Sequence, residues 1–266
     1  MVPAPPPSTH AGPAKKSLGQ HFLHERAYID RIVLAVDPKP GDHLVEIGPG
    51  RGAITLPLLR RHGALTVIEF DRDLIAPLTD AAAELGALTL LNQDVLTVDF
   101  GRLAGDAGQI RLVGNLPYNI SSPILFHALG YAHAVADMHF MLQKEVVDRM
   151  AAGPGSKVYG RLSVMLQAWC QVTPLFTVPP GAFRPPPKVD SAVVRLVPKP
   201  ASEVGIHDRT RFAQVVRAAF GQRRKTLRNA LSGVCDTAMI EAAGIRPDAR
   251  AEQVPVADYI RLASMA

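Results

Sequence analysis

VEIGPGRGAIT, residues 45–55, is an apolar run that breaks into glycines at alternate positions, 48, 50 and 52, and resumes as a helical pattern. Strand, tight turn and helix in that order are the opening of a βαβ unit. Glycine at these positions admits positive φ and lets a ligand come close to the backbone. The GxGxG pattern alone is shared by dinucleotide sites, nucleoside sites and purely structural turns, so the flanking sequence has to decide between them.

Reading outward, short apolar runs recur at HLVEIG (43–48), LTVIEFD (65–71), LTLLNQD (88–94), IRLVGN (110–115) and DMHFMLQ (137–143). The early runs are almost continuously apolar, as strands covered on both faces are. Helical patterns over 53–61, 73–85 and 122–129 lie between them. This alternation predicts a Rossmann-like α/β domain, a doubly wound and mostly parallel sheet with its ligand site at the carboxyl ends of the strands. Two further runs, QVTPLFTV (171–178) and AVVRLVP (192–198), lack a comparable helix between them, which predicts a terminal hairpin with one antiparallel strand. KPASEVG (199–205) reads as a linker. Patterns over 208–231, 237–243 and 256–263 read as helices of a small C-terminal all-α domain. The resulting division is a proline-rich disordered tail over 1–14, an α/β domain over 15–200 and a helical domain over 201–266.

The hydrophobic fraction, 47%, suffices for a packed core. No run approaches the roughly 18 apolar residues of a membrane span, and the start MVPAPPPSTHAGPAKK lacks the apolar stretch of a secretory signal. Cys170 and Cys235 are isolated, which argues against a disulfide framework or a zinc site and fits a reducing cytoplasm. The net charge of +5 is mild, but RAAFGQRRKTLR (217–228) holds Arg217, Arg223, Arg224, Lys225 and Arg228 with no acid among them. On a helix that run is either a solvated face or a cationic stripe for phosphates.

Glu69 ends the second run and Asp94 the third. In a parallel sheet these ends gather along one edge, where a carboxylate can accept hydrogen bonds from both ribose hydroxyls and a second acid can take an adenine amino group. A nicotinamide enzyme would use the first acid too, but would favour GxGxxG with the pyrophosphate at the helix N-terminus. Glu46, just before the glycines, is a poor neighbour for two phosphates and a reasonable one for a cation. VGNLPYNIS (113–121) closes the fourth run with an amide, a proline and an aromatic ring side by side. As a plain turn it would need nothing else. Beside a nucleoside site it offers an amine acceptor and a stacking ring.

Together the glycine loop, Glu69, NQD (92–94) and NLPY (115–118) resemble the class I methyltransferases that use S-adenosylmethionine. More narrowly, KKSLGQHFL (15–23), VIEFDRDL (67–74), MLQKEVVDRM (141–150), YGRLSV (159–164), FRPPPKVDSAVVRL (183–196) and FGQRRKTLRNAL (220–231) resemble the KsgA-type small-subunit rRNA adenine N6-dimethyltransferases. The resemblance runs from Lys16 to about residue 260. It implies cofactor contacts at His21, Leu23, Gly48, Glu69, Asp94 and Asn115, with S-adenosylhomocysteine as the product. His21 stands where the family generally has Asn or His. The resemblance also implies that the Asn115 side-chain oxygen and the Leu116 carbonyl accept hydrogens from an adenine N6 amine. Pro117 fixes φ near −65° and biases Leu116 toward extended backbone. Tyr118 would stack on the extruded base and Phe183 would close its other face. No resident metal is implied. The expected partner is 16S rRNA in an immature 30S subunit, the expected state a monomer in the cytoplasm, and the basic run at 217–228 the expected RNA contact. Leu116, where many DNA-adenine relatives have proline, sides with the RNA branch by resemblance. Other readings left open by the residues are a related enzyme of large-subunit RNA, an assembly or transcription factor that keeps the fold without depending on catalysis, and a nucleotide-dependent dehydrogenase.

Overall fold

A computed structural model describes residues 14–15, 18–105, 108–222 and 224–265. Residues 1–13 of the proline-rich tail, Lys16 and Arg223 lie outside the described residues. The chain forms two compact units, Met1–Lys144 with Pro174–Leu196 and Glu145–Thr173 with Val197–Ala266.

Among the described residues nine strands form: β1 (Phe22–Leu23), β2 (His43–Ile47), β3 (Ala64–Ile68), β4 (Ala87–Leu91), β5 (Ile110–Asn115), β6 (Val135–Gln143), β7 (Cys170–Val178), β8 (Phe183–Arg184) and β9 (Ser191–Pro198). Seven of them make one sheet in the order β4-β3-β2-β5-β6-β9-β7, and β1 pairs antiparallel with β8. β4, β3, β2, β5 and β6 run parallel, and β9 is the predicted antiparallel strand, laid against β6. α1 (Arg26–Val36) precedes β2, and the crossovers are α2 (Thr55–His62), α3 (Ile75–Ala82), α4 (Phe100–Ala104) and α5 (Ser121–Gly130). β2 is flanked by β3 on one side and β5 on the other, so the order of connection reverses between β2 and β5. A doubly wound sheet binds its ligand at that switch point. The inner strands are apolar on both faces because both are covered: Val45, Val67, Leu112 and Val113 are wholly buried. Edge strand β4 is only partly covered despite an equally apolar sequence.

The ends of the strands opposite the switch point are tied by one cation. Arg111 on β5 makes a two-pronged contact with Asp137 on β6 at 2.9 Å for each nitrogen, meets Asp42 at 2.6 Å and donates to the Val36 carbonyl at 2.7 Å. Asp137 is buried and takes a further contact from Arg195 on β9 at 3.2 Å.

The second unit holds α6 (Lys144–Ala151) beyond its first residue, α7 (Arg161–Trp169), α8 (Ala201–Val204), α9 (Arg209–Gly221), α10 (Leu227–Ala230), α11 (Thr237–Ala242) and α12 (Val256–Met265). α9 packs against α7, α10 and α12. That packing draws 145–173 into the helical unit, whereas a boundary at 200 follows the chain alone. Tyr159 and Tyr259 are buried here, and each donates its hydroxyl to a carbonyl at 2.9 Å, of Val254 and Ala251 respectively. The single helix expected over 208–231 is two: α9 stops at Gly221, and Thr226 is extended and bridges to Arg250 before α10 begins. The linker read at 199–205 contains the one-turn helix α8.

Candidate active site

A cavity of about 300 Å³ opens at the switch point, lined by residues from the ends of β2, β3 and β5, from the segment after β4 and from the stretch leading into β1. The glycine loop forms one wall. Gly48, Gly50 and Gly52 have φ of +67°, +56° and +82°, which a side chain would strain, so the loop can double back only as glycine. On β5, a Cβ at Gly114 would lie 2.5 Å from the Ile47 carbonyl oxygen. Glycine there lets β5 end flush against β2 and delivers Asn115 to the cavity.

Three acids named by the sequence line this cavity: Glu46, Glu69 and Asp94. Glu69 is buried and its two oxygens are held by backbone, Oε1 by the Asp71 N–H at 2.8 Å and Oε2 by the Gly50 N–H at 3.2 Å. Burial raises its carboxyl above the usual range, while the two N–H donors work against the rise. Asp94 is exposed and caps the turn after β4, its Oδ1 accepting from the Leu96 N–H at 2.9 Å. Glu46 differs from both. It is 1% exposed, its Oε2 has no hydrogen-bond partner, and burial with the nearby Glu69 charge pushes its carboxyl up to about 8. An orphaned buried carboxyl oxygen beside a cavity is costly unless a donor completes it. A ligand carrying a cation and a ribose diol would satisfy this acidic wall, and a pyrophosphate would be repelled by it.

The NLPY motif forms the wall opposite. Asn115 lines the cavity and donates its Nδ2 to the His21 carbonyl at 2.9 Å, which leaves Oδ1 as the acceptor. Leu116 is buried and its N–H is bonded to the Met141 carbonyl at 3.1 Å, fixing the Asn115–Leu116 peptide. Tyr118 hydrogen-bonds through its hydroxyl to Ser191 Oγ at 2.6 Å, and its ring stacks on His21 with centroids 5.6 Å apart and planes 25° from parallel.

His21, Leu23, Gly48, Glu69, Asp94, Asn115, Leu116, Pro117 and Tyr118 therefore converge on one cavity. Phe183 does not line it. It is 1% exposed, stands across from Leu23 in the β1–β8 pair and belongs to the hydrophobic core. Arg217 lies on α9, Arg224 and Lys225 in the turn that follows and Arg228 on α10, all four exposed. They lie on two helices and a turn, which corrects the continuous helical stripe. Sequence reasoning missed Ser191, 73 residues from Tyr118 and without local signal. It also passed over Gln20 and Asp71, whose only cue was adjacency to His21 and to the EFD of strand three. Among the described residues no cluster of His, Cys, Asp or Glu could hold a metal ion, and no helix is long and apolar enough to cross a membrane.

Two comparisons of sequence agree with this site. "Ribosomal RNA small subunit methyltransferase A" of Xanthomonas campestris pv. campestris (strain B100) is 78% identical over 258 residues, 97% of this chain and 98% of the relative. The protein of the same name from Xanthomonas oryzae pv. oryzae (strain PXO99A) is 77% identical over the same shares. By structure, a dimethyladenosine transferase from Plasmodium falciparum superposes with a TM-score of 0.79 at 24% identity, covering 91% of this chain and 96% of that one, and so shares the fold. The 23S rRNA methyltransferase ErmE superposes with a TM-score of 0.70 at 25% identity, covering 92% and 98%. The family model described as ribosomal RNA adenine dimethylase matches residues 12–266, the whole of the cavity and both units, and the chain belongs to that family.

Proposed function

We propose that this protein transfers methyl groups from S-adenosylmethionine to the N6 atoms of two adjacent adenosines near the 3′ end of 16S rRNA, in an immature 30S subunit, giving N6,N6-dimethyladenosine. The observation that carries the reading is the Asn115 amide, tied by its nitrogen to His21 and offering its oxygen at the cavity where the acidic wall ends.

The residues fit the cofactor. Glu69 would hold the ribose hydroxyls and Asp94 the adenine amino group, while His21, Leu23, Gly48 and Asn115 line the same space. Glu46, buried with an unfilled acceptor, suits a cationic ligand. When bound, the cofactor supplies a methyl group already activated by the positive charge on its sulfur.

The chain's own work is positional. An adenine N6 amine is a poor nucleophile because its lone pair is delocalised into the ring. Asn115 Oδ1 and the Leu116 carbonyl, each accepting one amine hydrogen, bias the nitrogen toward a pyramidal shape and free that pair for in-line attack. Positioning of this kind supplies most of the rate gain when the leaving group needs no help. After transfer the nitrogen is acidic and its proton leaves to water, so no base is required. Tyr118 supplies one face for the base, with stacking worth about 1–3 kcal/mol. The base must first leave its stack, which costs a few kcal/mol. Phosphate contacts from Arg217, Arg223, Arg224, Lys225 and Arg228 would offset that cost.

Relatives that share more than three-quarters of the sequence carry a small-subunit name, which favours 16S over 23S rRNA. The test is transfer of tritium from labelled cofactor into 30S particles lacking the mark, followed by nucleoside analysis. Dimethyladenosine near the 3′ end of 16S rRNA is the expected product. Label confined to 23S rRNA, or no label, would overturn the reading.

A further inference from the structure

Gln20, which lines the cavity, and Asp71, which does not, stand beside the stretch that meets Asn115. The amide of Gln20 is satisfied at both ends: Oε1 accepts from the Lys15 backbone N–H at 2.8 Å, and Nε2 donates to Asp71 Oδ2 at 2.8 Å. The other Asp71 oxygen meets the Lys15 ammonium at 2.5 Å, and the same ammonium reaches Asp73 at 2.6 Å. Asp71 is buried, yet it is absent from the cavity wall. Its N–H bonds Glu69 Oε1. The next residue after Gln20 is His21, whose carbonyl takes the Asn115 amide and whose ring lies on Tyr118. The residue before it, Gly19, has φ of +63°, and a Cβ there would sit 3.0 Å from Asn119 Oδ1. The stretch 18–23 is thus pinned to the acid-bearing edge at Gln20 and lies against the NLPY motif on either side.

We propose that Gln20 and Asp71, assisted by Lys15, are positioning residues for methyl transfer: they set the height of the His21 carbonyl, and so which end of the Asn115 amide faces the amine. An amide presents a donor and an acceptor of nearly equal size. Rotated by half a turn, Asn115 would point Nδ2 at a nitrogen that needs an acceptor. The His21 carbonyl forbids that rotation, because only Nδ2 can donate to it. Where that carbonyl sits depends on the backbone of residue 21, which is held by two side-chain ties: His21 Nδ1 on the Pro185 carbonyl at 2.8 Å and, one residue earlier, the Gln20–Asp71 bond. The same aspartate orders Glu69, so one contact serves both ends of the cavity.

The inference rests on Asn115 being the amine acceptor, and the experiment separates the two. Gln20→Leu, Lys15→Met, Lys15→Arg and Asn115→Ala would be compared for single-turnover methyl transfer into unmethylated 30S particles at saturating cofactor. The Asn115 side-chain amide protons would be followed by NMR in the cofactor-free protein. Gln20→Leu should lower the transfer rate about tenfold or more and shift the Asn115 proton bonded to His21, because small misplacements of a reacting group cost that much. Lys15→Met, at a half-buried position, should move both readouts in the same direction, and Lys15→Arg should keep them near wild type. A purely structural tie would lower the melting temperature and leave both readouts at wild-type values. That result, with Asn115→Ala inactive, would overturn the positioning role. Wild-type turnover in Asn115→Ala would overturn the acceptor reading, and this inference with it.

Discussion

Asn115 donates to the carbonyl of His21 across 94 residues of chain at 2.9 Å. The contact joins the tip of β5 to the stretch that enters β1 and settles the orientation of an amide that packing alone would leave free to turn. The amide nitrogen is therefore committed to a backbone group distant in the chain, and the amide oxygen is left free to accept.

Asn115→Ala should reduce methyl transfer by about 100-fold to 1000-fold, the usual loss for one preorganised polar group at a transition state. Affinity for S-adenosylhomocysteine, measured calorimetrically, should fall far less than the rate, because Glu69, Asp94 and the glycine loop are untouched. Wild-type turnover would remove Asn115 from the reaction.

Glu69→Gln keeps the side-chain shape but replaces an acceptor carboxylate by an amide. Loss of a charge-assisted bond to a ribose hydroxyl, about 1.5–3 kcal/mol, should weaken cofactor binding roughly tenfold to a hundredfold. The rate at saturating cofactor should fall much less. An unchanged dissociation constant would take Glu69 out of the ribose site.

Glu46 makes stability fall as pH rises. Its folded carboxyl, near 8, lies above the ordinary value of 4.5, so the neutral form it favours contributes stability in full below about pH 4.5. That contribution is lost as pH climbs through 8. Glu46→Gln cannot ionise, and the cost of its amide is the same at every pH. The melting temperature of the variant relative to wild type should therefore rise between pH 5 and pH 8.5. A flat difference would show that Glu46 ionises normally.

Asp137→Ala leaves Arg111 with its two-pronged partner gone at a site where the arginine side chain is only 13% exposed. Removing one member of a buried pair costs about 3–5 kcal/mol, and the Asp42 contact that Arg111 keeps at 2.6 Å sets the loss toward the lower end. Chemical denaturation should show a loss of that size, with cofactor affinity preserved because the cluster lies at the opposite ends of the strands. A loss below 1 kcal/mol would mean that water reaches the arginine.

Arg224 and Lys225 are exposed in the turn after α9. Substituting both with alanine should weaken binding of 30S particles and lower the slope of log affinity against log salt by about one for each phosphate contact removed. An unchanged slope would place the RNA elsewhere.

The apolar runs and the turn residues between them marked the strands of the parallel sheet to within a few residues, because a strand covered on both faces must be apolar throughout. The acids and NLPY were legible for a similar reason: polar groups at the end of an apolar strand have no role in the core. The core position of Phe183 was not legible, because an aromatic residue beside prolines reads the same in sequence whether it lines a pocket or fills the core. The short pair β1–β8, two residues in each strand, is too brief for any periodicity. The break in the basic segment was hidden because Gln222, Arg224 and Lys225 are ordinary surface residues on a helix or a turn alike.

What sequence alone determined was the set of groups and the edge of the sheet on which they gather, since strand order and polarity follow from local chemistry. Which of those groups face each other was decided only by the tertiary structure. His21 meeting Asn115, Ser191 holding Tyr118, Asp71 gripping Gln20 and Glu46 left with an empty acceptor are contacts between distant parts of the chain or consequences of burial. Hydrogen bonds act over about 3 Å, and no pattern along the chain carries distances of that scale between residues so far apart.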